Sequence, residues 1–263
     1  MEFRFAELTN ELNEKFNLIK QSLDEGGTQF DIKCISPKQD FLPYERELIE
    51  NPNKRRSESI AKYSDGKIFF SPLSSQMIWY IAWLAYLIKE NQVGILDIDD
   101  FIYRLIEVDK GENKELSCKD LYAWDNKDLD SIFLYAMSFL ICHELGHNVF
   151  HHPTPEYDIE NMKWKNPELS RGNELQADSF AADCVTNISN NNEHEYELAV
   201  YGVIVAQIAI LFIRNKEESY VIHPDPDTRL TNTLNDIDIT PTMKRLIDYA
   251  KDMSEQYLER RFV

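Results

Sequence analysis

An apolar run that continues directly into a pair of histidines constrains this chain more than any other feature. Residues 131–142 read SIFLYAMSFLIC and are apolar on nearly every face of a helix, which is typical of a helix buried in a core. The next five residues, 143–147, are His-Glu-Leu-Gly-His and therefore lie at an interior position. Buried histidines need polar partners, and a metal ion is one such partner.

The spacing of the two histidines fits a shared metal ion. Residues four apart on a helix lie on one face about 6 Å apart, so His143 and His147 can both reach one ion at about 2.0–2.1 Å. Glu144 would lie beside the open position of the metal, where a carboxylate can take a proton from water. The alternative is a helix whose histidines are ordinary polar surface residues, and the apolar run before them disfavours it.

A catalytic zinc site generally takes three protein ligands and a water molecule, so one more ligand is needed. His151 is unsuitable, because about 12 Å of helical rise separates it from His143 along a continuous helix. We interpret His151 and His152 as a pair at the helix C-terminus, where positive charge complements the helix dipole.

A better third ligand lies in the segment 173–178, which reads NELQAD. Glu174 and Asp178 are again four residues apart, so one carboxylate can bind the metal while the other accepts the free ring N–H of a histidine ligand. The small side chains of Ala177, Ala181 and Ala182 allow this helix to pack closely against another. Two surface acids on an ordinary amphipathic helix are the alternative.

Composition limits the class of protein. With 263 residues the chain can bury a large core without disulfides, and its four cysteines form no CxxC pair, so a reducing cytosol fits best. The formal charge of −18 disfavours nucleic acid as a partner. The N-terminus lacks the pattern of a secretory signal, so we expect a cytoplasmic protein.

Two apolar stretches, 77–88 and 198–213, are shorter than the roughly 18–20 residues that span a bilayer. We therefore expect no membrane span and interpret both as buried helices.

The fold class that these patterns predict is α+β, predominantly α, with a small β-sheet or hairpin. We expect one domain over 1–263, in which 1–60 form an N-terminal helical and strand extension and 131–235 form the catalytic core. Strands are predicted at 28–35 and 66–71, and a long ordered loop or lid at 152–168. Helices are predicted at 2–23, from 72 onward, and at 97–109, 128–151, 170–188, 193–214 and 241–261.

HELGH followed by NELQAD resembles the gluzincins, the thermolysin-like zinc peptidases in which a glutamate on a second helix completes the metal site. The resemblance implies a zincin-like core with Zn²⁺ bound by His143, His147 and Glu174. Residues 223–229, HPDPDTR, resemble the HPxxxxR element of the CAAX prenyl peptidases and their soluble relatives. That resemblance implies that His223 stabilises the oxyanion and that Arg229 binds a site carboxylate or the substrate backbone. Without it, a capping or loop role for His223 is equally open.

The order of these motifs is also similar to the phage-exclusion peptidases of the Lit type, which cleave a translation factor during infection. The resemblance covers residues 131–235. It implies an intracellular zinc endopeptidase with a protein substrate, Glu144 as general base, and activity that awaits a partner. Two alternatives stay open: a non-catalytic or regulatory binding module on a zincin fold, and a membrane-associated peptidase that uses helices 77–88 and 198–213.

Overall fold

Helices dominate the computed structural model, so the prediction of a predominantly α fold is confirmed. Two segments lie outside the described residues: the polar segment 51–59, which the sequence predicts to be a linker or long loop, and 111–124, which it predicts to be mostly irregular. Helical residues occur between 11 and 21, within the predicted first helix. The structure describes residues 11–21 with gaps at 13, 16 and 20, then 34–36, 61–64, 67–70, 72–92, 94, 98–110, 126–153, 155–158, 160–161, 163–189, 192–213 and 223–261.

The described strands are short. β1 (Cys34–Ser36), β2 (Ala61–Ser64) and β3 (Lys67–Phe70) form a sheet of order β1-β3-β2, in which β3 pairs parallel with β1 and antiparallel with β2. A two-stranded antiparallel hairpin, β4 (Tyr157–Asp158) and β5 (Lys163–Trp164), lies within the segment predicted as a loop or lid.

Seven further helices lie in the described part of the chain, and all but the helix Pro226–Thr233, which was not among the predicted helices, agree with the predicted positions to within a few residues. They are α1 (Pro72–Lys89), α2 (Ile98–Lys110), α3 (Lys127–Val149), α4 (Pro167–Asn187), α5 (Glu193–Ile213), α6 (Pro226–Thr233) and α7 (Pro241–Arg261). Proline occupies the first helical position of four of them, where its missing N–H and fixed φ cost nothing.

The centre of the molecule is the contact between α3 and α5. Both are apolar on nearly every face and almost completely buried. Gly202 permits the close approach, because a Cβ atom there would lie 2.4 Å from Cβ of Tyr135 and 2.9 Å from N of Ala136. Helix α3 is thereby fixed at the middle of the core, with its histidines at the far end.

Two described helices, α3 and α5, are long and apolar enough to cross a membrane by length and composition alone. In their most apolar windows, 89% and 78% of the residues are buried inside the structure. A core helix passes the same test, so these helices are weak evidence for a membrane. The apolar stretch at 198–213 is part of α5, which begins at Glu193 as the helix predicted at 193–214 does.

Candidate metal centre

Helix α3 begins at a defined N-cap. The side chain of Asn126 accepts hydrogen bonds from the backbone N–H groups of Asp128 at 2.9 Å and Leu129 at 3.2 Å. Asp128 and Asp130 lie in the first turn, where negative charge complements the helix dipole. With its start fixed by the cap, α3 carries His143 and His147 about four and five turns into the helix.

Gly146 brings the two predicted ligand-bearing helices together. A Cβ atom at this position would lie 3.2 Å from Cα of Ala177 and 3.2 Å from Cδ1 of Phe180, so α3 and α4 are nearly in backbone contact there. Ala177, Ala181 and Ala182 are all buried. Close packing through small residues is what the sequence predicted for α4, and it brings Glu174 to the two histidines.

The three predicted ligands have separations that suit a tetrahedral ion. Nε2 of His143 lies 3.2 Å from Nε2 of His147, and these nitrogens lie 3.6 and 3.4 Å from the carboxylate oxygens of Glu174. A tetrahedral ion with bonds of 2.0–2.1 Å requires its ligand atoms to be about 3.3–3.4 Å apart. The distances of 3.6 and 3.4 Å involve different oxygens of Glu174, Oε2 and Oε1, so the carboxylate must turn before one oxygen faces both rings.

Among the described residues, this group has three members, all with ligand atoms within 4.8 Å of one another. The side chain of His143 is 10% exposed and that of Glu174 12%, whereas that of His147 is 26% exposed. Solvent therefore reaches the group from the side of His147. Three ligands and a partly open side are typical of a catalytic metal site rather than a structural one.

Asp178 lies behind His143 and is completely buried. Its Oδ1 is 2.8 Å from Nδ1 of His143, the ring nitrogen that faces away from the ligand group. Burial alone would lower the pKa of His143, but the negative charge of Asp178 raises it above its usual value. Such a carboxylate fixes the ring tautomer with Nε2 free to bind a metal and makes the imidazole more basic.

Arg229 joins the site from helix α6. Asp225 caps this helix by accepting from N of Thr228 at 2.9 Å. The guanidinium donates from Nε and Nη2 to the two oxygens of Asp178, both at 2.7 Å, and its Nη1 lies 3.3 Å from Oε2 of Glu174. Of the two roles implied by resemblance, contact with site carboxylates is the one seen in the structure.

The charges of this cluster shift each other's proton affinity. Burial alone would raise the pKa of Glu174 and of Asp178. The pKa of Glu174 is nevertheless held well below its usual value by hydrogen bonds from His147 and His223 and by the charge of Arg229. The pKa of Asp178 is lowered by Arg229 and His143. Both carboxyl groups are therefore ionised at neutral pH.

His223 and Glu144, the predicted catalytic pair, both lie at this cluster. Nδ1 of His223 is 3.3 Å from Oε1 of Glu174, and its side chain is 42% exposed. Glu144 is partly buried, and its charge acts on Arg229: burial alone would lower the pKa of Arg229, but Asp178, Glu174 and Glu144 together raise it. General-base and oxyanion roles for the two residues stay predictions.

The sequence interpretation of His151 and His152 is corrected by the structure. Helix α3 ends at Val149 rather than His151, and the two histidines are not equivalent. His151 is exposed with a left-handed backbone, φ 52°, whereas Nδ1 of His152 lies 2.9 Å from Nδ1 of His147. Burial lowers the pKa of His152, which favours a neutral ring over a charge at the helix end. The sequence gives no signal for this contact, because the turn that creates it lacks glycine.

Cys142 and Cys184 are free, buried thiols on α3 and α4. A hydrogen bond with Cys184 and burial raise the pKa of Cys142 well above its usual value. Cys142 therefore stays a neutral, buried thiol beside the site.

Comparison with known proteins gives one match. A family model described as Peptidase U49 matches residues 71–250, which is more than half of the 263 residues and includes every side chain of the cluster. No curated protein and no solved structure matches the chain significantly.

Proposed function

Because this chain belongs to the Peptidase U49 family, we propose that it is a zinc-dependent endopeptidase that hydrolyses a peptide bond in a protein substrate. The observation that carries the proposal is the convergence of His143, His147 and Glu174: the Nε2 atoms of the two rings lie 3.2 Å apart, and each lies within 3.6 Å of an oxygen of Glu174, close to the spacing that a tetrahedral ion requires. In this proposal the two helices α3 and α4 form a zincin-like core.

The charge of the cluster supports a divalent cation. Glu144, Glu174 and Asp178 contribute three negative charges and Arg229 contributes one positive charge, so with neutral histidines these four side chains sum to −2. Buried charge without a counter-charge is costly. One Zn²⁺ ion would cancel the excess, and imidazole and carboxylate ligands suit zinc.

The residues around the site then have separate tasks. When bound, Zn²⁺ supplies Lewis-acid chemistry that activates water at neutral pH. Glu144 takes the proton from the attacking water as general base. His223, whose Nδ1 lies 3.3 Å from Oε1 of Glu174, would donate its ring N–H to the developing oxyanion, an interaction worth about 10²–10³ in turnover in comparable sites. Asp178 and Arg229 hold the ligands in place.

The general-base role is tested with Glu144→Gln, which removes the base and keeps the size of the side chain. We expect a loss of cleavage of about 10²–10⁴-fold while one equivalent of zinc is retained. Glu174→Gln should lose zinc as well as activity. Zinc content is measured by metal analysis, and cleavage with a peptide library whose products are identified by mass spectrometry.

Glu193→Gln is the matched control, because Glu193 is exposed in the first turn of α5. It should leave both zinc content and cleavage unchanged. Under conditions in which the wild type cleaves library peptides, a Glu144→Gln variant that cleaves them at the same rate would falsify the assignment of the base. A wild type that binds no zinc, with the cluster intact, would contradict the proposal as a whole.

We further propose that the enzyme acts in the cytoplasm and is latent until a partner triggers it during phage infection. The support is the similarity of its motif order to the Lit-type peptidases. The expected observation is that the zinc-loaded protein cleaves its substrate faster after addition of lysate from infected cells than from uninfected cells. Equal rates in both lysates would leave a constitutive peptidase.

A further inference from the structure

The end of helix α3 is a closed turn that reverses the chain onto the metal centre. The backbone N–H of His152 donates to the carbonyl of His147 at 2.9 Å, and that of His151 donates to the carbonyl of Asn148 at 3.1 Å. Together with the left-handed His151, these two bonds form a Schellman motif. The motif places His152 beside His147, although five residues separate them.

The side chain of His152 is held on three sides. Its Nδ1 lies 2.9 Å from Nδ1 of His147, and its Nε2 lies 2.9 Å from Oε1 of Gln176. Its ring stacks on that of Phe150, with centroids 5.6 Å apart and planes inclined by 27°. Gln176 belongs to α4 and lies two residues beyond Glu174, so these contacts connect the C-terminal end of α3 to the middle of α4.

The hydrogen-bonding capacity of the two imidazole rings determines which atom donates in each contact from His147 through His152 to Gln176. If Nε2 of His147 binds a metal, the proton of its neutral ring must be on Nδ1, which then donates to Nδ1 of His152. The proton of His152 is consequently on Nε2 and donates to the carbonyl oxygen of Gln176. Every ring nitrogen has one partner, and both rings stay neutral.

We propose that His152 is a positioning residue that orients the ring of His147 toward the metal, a role that rests on the proposed zinc site. His143 has the buried carboxylate of Asp178 in the corresponding position. The two histidine ligands are thus supported differently, one by an anion and the other by a neutral imidazole. A neutral partner orients the ring without adding a fourth negative charge to the cluster.

His152→Leu tests the proposal, because leucine fills the space but accepts no hydrogen bond. We expect its Zn²⁺ affinity, measured by competition with a chelator, to fall about 10–100-fold. His152→Asn should recover most of this loss, since its Oδ1 can accept from Nδ1 of His147. Gln176→Leu, which alters only the outer end of the chain, should lower the affinity by a smaller factor and serves if His152→Leu does not fold.

His151→Asn is the matched control: it changes the neighbouring histidine of the same turn to a residue that tolerates left-handed geometry. It should bind Zn²⁺ as the wild type does. The proposal is overturned if His152→Leu retains wild-type affinity, or if His152→Asn loses as much affinity as His152→Leu, which would indicate a role in folding alone.

A second readout needs no metal. In a crystal structure of metal-free His152→Leu, we expect the ring of His147 to turn away from its 3.2 Å approach to Nε2 of His143. An unchanged ring would overturn the positioning role. If the wild type binds no zinc but the ring of His147 moves in the variant, the proposed function fails, while His152 still positions His147. If the wild type binds zinc but the ring does not move, the positioning role fails, while the proposed function stands.

Discussion

Asp178 is the residue on which the charge balance of the site depends most directly. It is fully buried, accepts two hydrogen bonds at 2.7 Å from Arg229, and lies 2.8 Å from Nδ1 of His143. Removing one partner of a buried ion pair is costly because the other charge stays uncompensated.

Asp178→Asn should therefore lower the free energy of unfolding by about 3–5 kcal/mol, as measured by urea denaturation. Asp183→Asn is the control on the same helix. Asp183 is exposed, but partial burial of its carboxyl group and the charge of the nearby Asp236 raise its pKa, so its negative charge does not stabilise the fold. Loss of this charge should therefore change stability by no more than about 0.5 kcal/mol. Equal effects of the two substitutions would contradict the importance of the pair.

His151 bears the backbone strain of the turn and contributes no contact to the metal centre. A non-glycine residue in left-handed geometry costs roughly 1–2 kcal/mol. Replacing it with glycine removes this cost, but glycine has greater conformational freedom in the unfolded chain, which offsets part of the gain in stability. His151→Gly should raise the free energy of unfolding by about 0.5–1 kcal/mol and leave zinc affinity unchanged. Thermal unfolding and metal titration check both parts. A loss of zinc would restore His151 as a ligand candidate.

The separate residues of the cluster could be predicted from sequence to very different degrees. His143, His147 and Glu174 follow from spacing on regular helices, because i and i+4 residues share a face whatever surrounds them. His152 could not be found in this way. Its position depends on a left-handed residue at 151, and a histidine there carries no glycine signal of a helix end.

At the scale of elements, the contact between α3 and α4 sets the geometry of the metal centre. Gly146 lies between the two histidine ligands on α3, and its Cα faces the backbone of Ala177 on α4. An added methyl group would meet Cα of Ala177 at 3.2 Å, and a backbone atom cannot rotate away as the ring of Phe180 can.

Gly146→Ala should therefore separate the helices, lower the free energy of unfolding by about 1–3 kcal/mol and weaken zinc binding. Gly172→Ala on α4 is the control, because a Cβ atom there meets no atom within 4 Å. It should stabilise the protein by about 0.5–1 kcal/mol through helix propensity and leave zinc affinity unchanged. Urea denaturation and chelator competition measure the two effects, and stronger zinc binding by Gly146→Ala would contradict the packing argument.

Helix positions were predictable because caps, prolines and apolar periodicity act locally. The starts of α1 at Pro72 and α7 at Pro241 and the end of α5 at Ile213 lie within one residue of the sequence-based positions. The hairpin of β4 and β5 was missed, since its strands have two residues each and no alternation to detect. Strand β2 was missed for a similar reason, because Ala61–Ser64 contains a single large apolar side chain, that of Tyr63.

For the molecule as a whole, the buried cluster makes stability depend on pH in two opposite ways. The pKa values of Glu174 and Asp178 are below their ordinary 4.5 and 3.8, so their stabilisation is complete above those values and is lost as the pH falls through the lowered pKa values. The pKa of His143 is above its ordinary 6.5, so its stabilisation is complete below pH 6.5 and is lost as the pH rises through the raised pKa.

The metal-free protein should accordingly be most stable between about pH 4.5 and 6.5, the interval between the ordinary pKa values of Glu174 and His143. Zinc must displace the proton from the imidazoles, so its stabilisation grows with pH and reaches about 4 kcal/mol at a thousandfold excess over Kd. Thermal unfolding from pH 4 to 9, with chelator and then with Zn²⁺, should show the maximum moving toward higher pH when zinc is present. A chelated protein whose stability peaks above pH 7, or a maximum that zinc does not shift, would mean that His143 is not the group whose proton the metal replaces.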